Sequence, residues 1–312
     1  MQQFIASPGV TKKPRQKRSA RAIRDARFSW AVLAIPFALY LIFALFPMAE
    51  AFILSFTNWS LLTLQGQFVG LANYIHLFTS PTFWEAFKNT VWFMLVTNLG
   101  SIVLGLALAL LLSKRSWVTQ SARAILYIPS VMSVVVVSEM FIDLLGPSQG
   151  NLVNWVVHWF GIPPQNWLVS PTLALPALMF LALWQGMGWT MVFFLAGLQG
   201  IPRYLYEAAQ LDGATGWKAF RYITWPLLRP VTTLLLILGY INGFQVFAQM
   251  QLMTNGGPDN RTMSLVLYLY QEGFQFYKMG YASAIGMVLF LVTLIVSFLQ
   301  LQRSRRQWSA YY

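Results

Sequence analysis

The sequence predicts an all-α membrane protein of six transmembrane helices with both termini on the cytoplasmic side. Three observations predict it. Of 312 residues, 57% are hydrophobic and only 10% charged, with a mean hydropathy of +0.56. That is more apolar surface than a water-soluble globule of this size can hide. Six apolar runs lie between polar flanks, each close to the roughly 20 residues that an α-helix needs to cross hydrocarbon. Basic residues alternate in density from loop to loop, which sets the direction of the chain.

The first run, 30–56, follows a segment that holds eight of the 21 basic residues in its first 28 positions. It is too long for the apolar stretch of a signal peptide, so an uncleaved anchor is expected. The other runs are 90–112, 124–145, 173–198, 231–250 and 281–301. All Lys and Arg except Lys88, Arg261 and Lys278 fall in the tails and in the loops 113–123 and 199–230, while the loop 146–172 has none. An even number of spans with both ends inside follows from that bias. The outer loops 57–89 and 146–172, rich in Trp, Pro and Asn, are expected to cap the membrane surface. One six-helix domain, 29–302, thus lies between a basic tail, 1–28, and a short tail, 303–312.

The net charge of +12 invites nucleic acid as a partner, but its distribution points to the lipid bilayer instead. Cysteine is absent, and His76 and His158 are far apart with no ligand spacing, so no metal site is expected.

The loop 199–230 is the most ordered in its punctuation. Pro202 suits a first helical position, Tyr204, Ala208 and Leu211 share one helical face, and Gly213 suits the left-handed residue that ends a helix. A second helix is expected from about Gly216, with Pro226 and Pro230 resetting the backbone into the fifth span. This rigid elbow has two possible roles, an amphipathic helix lying on the inner leaflet or a docking element for a soluble partner. Lipid-surface helices carry several Lys or Arg, whereas Glu207 and Asp212 bring acid toward a negative surface, which favours docking.

Glu207-Ala208-Ala209, Asp212-Gly213-Ala214, Phe220, Ile223, Pro226 and Pro230 resemble the EAA loop of binding-protein-dependent ABC permeases. Phe68-Val69-Gly70-Leu71-Ala72-Asn73-Tyr74, Asn89-Thr90, and Thr254-Asn255-Gly256-Gly257-Pro258 followed by Thr262 are similar to the sugar permeases of the maltose and glycerol-phosphate type. Asn255 departs from that pattern, and the basic tail has no counterpart in it. The resemblance implies the type I ABC importer permease fold in a bacterial inner membrane. It implies that the elbow is a coupling helix in a cleft of an ATPase subunit, with Glu207 near a basic group there and Gly213 setting the turn. It also implies a second, homologous permease chain and an extracytoplasmic solute-binding protein. No cofactor is expected on this chain; ATP and Mg would be bound by the partner ATPase. Consistent with that, Gly213-Ala214-Thr215-Gly216-Trp217-Lys218 misplaces the second Gly and the Lys of a phosphate loop. No enzymatic activity is expected, and the solute would be a sugar or a related polar molecule such as a glycerol phosphate.

Polar residues inside a membrane span mark functional sites or helix contacts. Asn242, Gly243 and Gln245 fall in the middle of the fifth span near Phe247, where a sugar would need hydrogen bonds and an aromatic face. Gln185 lies near the middle of the fourth. Solute contact and packing both fit these positions. Glu50, Glu139 and Asp143 lie late in outward-running spans and are expected to reach water or headgroups. Were one of them a coupling site, the chain would be a secondary, ion-coupled carrier; their peripheral positions count against it.

Overall fold

The computed structural model describes residues 20–114, 116–146 and 151–308. Most of the expected basic tail, 1–19, together with Arg115 and 309–312, falls outside the described residues. The described residues form two compact units that divide between Glu50 and Ala51.

The first unit is helical from Ala20, ten residues before the expected start. Helix α1 (Ala20–Tyr40) passes through a π-helical turn, Leu41–Leu45, into α2 (Phe46–Leu54). Pro47 accounts for the wider turn. In a regular α-helix its ring would strike the Phe43 carbonyl. Here the Phe46 N–H bonds instead to Leu41 O, five residues back. Trp30, Ile35, Phe37 and Phe43 are exposed, as lipid contact requires.

The second unit is all helix among the described residues, apart from two isolated antiparallel bridges, Thr57 with Phe68 and Ser60 with Gln65. Those bridges hold the loop after α2. Asn73, at the start of α3 (Ala72–Thr79), fastens it by donating from its amide to Ser55 O and Thr57 O at 2.9 and 2.8 Å. The neighbouring Tyr74 hydroxyl lies 2.7 Å from Ser55 Oγ.

Helix α4 (Pro81–Leu111) begins nine residues before the expected second span, because Ser80 caps it and Pro81 occupies the first turn, where a missing N–H is harmless. Asn89 and Thr90 are therefore inside a helix. Lipid tails are as apolar as Leu, so the spans associate through close packing and polar ties rather than through the hydrophobic effect. α4 shows both against α8 (Ala174–Gln199), which falls within a residue of the expected fourth span. The Thr190 hydroxyl donates to Ser101 O at 2.7 Å, and a Cβ on Gly105 would lie 2.0 Å from Thr190 Oγ1.

The third span departs from expectation. The run 124–145 is not one helix but two, α5 (Trp117–Val131) and α6 (Val134–Leu145), meeting at 97°. Pro129 removes a backbone donor from the last turn of α5, and the Ser133 hydroxyl starts α6 by capping Val135 N. Helix α7 (Leu152–His158) follows in the loop 146–172, with the Asn154 carboxamide bonded to both Gln165 and Trp167.

After α8 come the elbow helices α9 (Arg203–Leu211) and α10 (Trp217–Ala219). α10 does not stop at Pro226. It continues through a π-helical turn, Phe220–Thr224, into α11 (Trp225–Phe244), so one helix runs from Trp217 to Phe244. The prolines do not reset the backbone, because the π turn ends two residues before Pro226, in the same register as the turn before Pro47.

The fifth span ends earlier than the expected 250. It ends at Phe244, and α12 (Ala248–Thr254) starts beyond a break at 245–247. Helix α13 (Leu265–Tyr270), a π turn over Gln271–Gln275 and α14 (Met279–Trp308) complete the chain. α14 contains the expected sixth span. Val137, Phe141 and Leu145 of α6 share one buried cluster with Met250 and Met253 of α12 and Leu178 and Leu181 of α8.

Candidate functional site

The elbow is built by local chemistry. Pro202 is extended and precedes α9 rather than opening it; its φ of −62° and ψ of 135° place it at the cap. At the other end Gly213 has a φ of +69°, as its position in the sequence predicts. Its N–H donates to Gln210 O at 3.1 Å and that of Ala214 to Ala209 O at 2.7 Å, the paired bonds of a Schellman motif. A Cβ at Gly213 would meet nothing within 4 Å, so the residue is required by backbone conformation and not by space. Gly216, with φ +54° and ψ −118°, makes the second corner. A tie that no local pattern foretells is the Tyr206 hydroxyl, 2.9 Å from Thr224 Oγ1, which braces α9 against the base of α11.

Of the expected coupling residues, Glu207, Ala208, Asp212 and Gly213 are exposed, Ala214 is half-buried and Ala209 is buried. The face shared by Tyr204, Ala208 and Leu211 is bare, with Leu211 91% exposed. An apolar side chain held out on a stiff corner with acids beside it suits a partner's groove. Arg123 donates to the carbonyls of Leu112 and Lys114 at the end of α4, so part of the basic charge that orients the chain also caps a helix.

The second feature is a cleft of about 730 Å³ within the membrane-spanning helices. It gathers all five residues expected along a solute path: Gln185 from α8, Asn242 and Gly243 from α11, and Gln245 and Phe247 from the break. Their surroundings differ. The Asn242 and Gln245 amides are exposed and have no hydrogen-bond partner among the described residues. Gly243 is buried, and a Cβ there would lie 2.6 Å from Met94 Cγ, so it brings α11 against α4. Phe247 is half-buried with its ring 5.2 Å from Tyr270. The Gln185 amide is already engaged, donating to Pro129 O and Met132 O. Asn98, also at the cleft, donates to Leu236 O at 3.2 Å and joins α4 to α11.

Glu50, Glu139 and Asp143 are exposed, and none of them lines the cleft. A buried acid that sequence reasoning passed over is Glu272, whose Oε2 is 3.2 Å from Lys278 Nζ but off the direction of a hydrogen bond. Among the described residues no three His, Cys, Asp or Glu side chains group as metal ligands would.

The end of the helices away from the elbow is ordered by Asn89 and Thr90. The Asn89 amide donates to Asn260 O and Met263 O, and Thr90 Oγ1 accepts from Leu265 N. Together they pin the Gly256-Gly257-Pro258 loop to α4.

The family model described as the inner membrane component of binding-protein-dependent transport systems matches residues 101–308. This chain belongs to that family. The permease is 39% identical over 272 residues to the arabinooligosaccharide transport system permease AraP of Bacillus subtilis, covering 86% of each chain. It is 34% identical to the multiple sugar-binding transport system permease MsmF of Streptococcus mutans, over 92% of this chain and 98% of that one. A solved chain of a bacterial alginate ABC transporter, in complex with an alginate pentasaccharide-bound periplasmic protein, superposes with a TM-score of 0.82 at 26% identity. It covers 93% of the permease and 98% of its own length. The type I fold and the sugar-permease resemblance are thereby confirmed, and the chain is an inner-membrane transport permease.

Proposed function

We propose that this permease passes a sugar, a mono- or oligosaccharide or a related polar solute, through the cleft at Asn242 and Gln245. The solute arrives from an extracytoplasmic binding protein, and the pore is completed by a second, homologous permease chain. Both termini and the elbow face the cytoplasm, in keeping with the concentration of Lys and Arg there. ATP and Mg are held by a partner ATPase seated on Glu207, Ala208 and the exposed Leu211, and this chain carries no cofactor of its own.

One observation carries the proposal: the elbow is continuous with α8 and α11, which carry Gln185 and Asn242 to the cleft. Gly200 and Ile201 tie α9 directly to α8, and the unbroken helix from Trp217 extends to Asn242, about 25 Å farther on from Trp225 at 1.5 Å per residue. Movement of the elbow by a closing ATPase pair is therefore delivered to Gln185 and Asn242 together. The two free amides each donate and accept, as sugar hydroxyls require, and Phe247 offers a ring face.

The test is uptake by the assembled transporter in vesicles. Asn242→Ala and Gln245→Ala are each expected to raise the half-saturating solute concentration by about fivefold to tenfold, the effect of one or two lost hydrogen bonds. Solute uptake that continues after ATP depletion would instead support an ion-coupled carrier.

A further inference from the structure

We infer that Gln185 is a positioning residue, a clamp that fixes the angle between α5 and α6, rather than a ligand for solute. The break at Met132 and Ser133 strips backbone carbonyls of their helical partners inside a membrane span, where no bulk water replaces them. Gln185 takes up that of Met132 and adds a second donor to Pro129 O, which otherwise keeps only the Met132 N–H at 3.4 Å. Its Nε2 donates to Pro129 O at 3.3 Å and to Met132 O at 3.5 Å, one in the last turn of α5 and one in the break itself. The Ser130 hydroxyl returns a bond of 2.6 Å to the main-chain oxygen of Gln185. Three bonds thus join one residue of α8 to three residues of the bend.

Gly188 sets the approach that makes this possible. A Cβ there would lie 2.2 Å from Leu126 O, so α5 rests on the backbone of α8 one turn from the clamp. Both bonds from Nε2 are long, and each is weak alone. Their joint effect is directional, because neither carbonyl can swing away without losing its partner in a low-dielectric setting. α8 runs straight from the elbow to the clamp. Displacement of the elbow therefore reaches the bend of the third span through Gln185, while the amide has no donor left for solute.

This role rests on the cleft being the solute path, but the bend angle is measurable without solute. The chain has no cysteine, so the exposed Val118 and Val136, one on each helix, accept spin labels as V118C and V136C with no background from this chain. In the assembled, reconstituted transporter the distance between them is expected to be narrowly distributed. Gln185→Met, which keeps the volume and removes the donor, is expected to broaden it. The same variant is expected to lower maximal uptake about tenfold, the effect of two lost intramembrane hydrogen bonds, with the half-saturating concentration within about a factor of two of the parent.

An unchanged distance distribution overturns the clamp, whatever uptake does. So does a raised half-saturating concentration at unchanged maximal rate, which would make Gln185 a solute ligand. Should Gln185→Met fail to assemble, Ser130→Ala removes only the returning bond and is expected to give a smaller broadening; none at all overturns the clamp. Asn242→Ala in the same uptake assay separates the two ideas, since no change there speaks against the cleft and leaves the bend untouched.

Discussion

Helix α9 and the two broken spans stop a helix by opposite means. At the elbow the chain closes itself: Gly213 and Ala214 return their N–H groups to Gln210 and Ala209, all within six residues. At the bends inside the membrane the carbonyls are taken by side chains far away in sequence. Gln185 reaches back more than 50 residues to Pro129 and Met132, and the Ser264 hydroxyl donates to Val246 O across 18. The contrast follows from the solvent. An exposed helix end has water to fall back on, so a glycine is enough. A bent helix in lipid has none, and a second helix must supply the missing donor.

Each of the following changes strains one side of that contrast. The largest effect is expected from Gly188→Val, which puts a branched side chain where Leu126 O already lies within 2.2 Å of a Cβ. Overpacking of this kind costs about 1–3 kcal/mol or more, and loss of assembled transporter on size-exclusion chromatography is the expected reading. Next comes Gly213→Val. A β-branched residue at φ +69° is strained by about 1–2 kcal/mol. Insertion into the membrane is expected to be normal, while copurification of the ATPase and solute uptake fall by about tenfold. Undiminished transport in this variant would remove the elbow from the mechanism.

Ser264→Ala tests the membrane side alone. Ser264 is fully buried, donates to Val246 O at 2.7 Å and accepts from Leu267 N at 3.1 Å. Its loss leaves a buried carbonyl unpaired at the break in the fifth span, at a cost of about 1–3 kcal/mol. Thermal unfolding of the purified complex should register it. The smallest effect belongs to Glu85→Ala, which removes the Arg261 ion pair at 3.1 Å on the rim near Asn89. Both side chains are substantially exposed, so the expected change is below about 1 kcal/mol and fades with salt. A large effect there would mean that the rim is held by charge and not by the amide of Asn89.

The same contrast explains what was legible. The elbow could be read in outline because Gly213 and the spacing of Tyr204, Ala208 and Leu211 act over short distances; Pro202 proved to be the cap and not the first helical residue, Pro226 and Pro230 did not reset the backbone, and the tie from Tyr206 to Thr224 escaped. The spans could be read because length and hydropathy are local sums. The bends could not. Nothing between Phe244 and Phe247 marks a break; it becomes tolerable only because Ser264 waits on the other side of the mouth. Pro129 did signal trouble in the third span, but a proline in the last turn is compatible with a straight continuation as well as a sharp one. Gln185 and Gly243 were recognised as special, and their contacts with α5 and α4 needed the fold. Glu272 was passed over because its burial depends on Lys278 closing over it after a π turn.

One consequence concerns a copy of this chain made without company. Leu211 stands 91% exposed at the tip of the elbow, with Tyr204 and Trp217 bare on either side at 66% and 71%. Such a greasy knob, held rigidly outward, invites contact with any other unsatisfied surface. Matched synthesis of the subunits would thus act as a safeguard against clumping, and a surplus of this one is expected to be the first to be cleared.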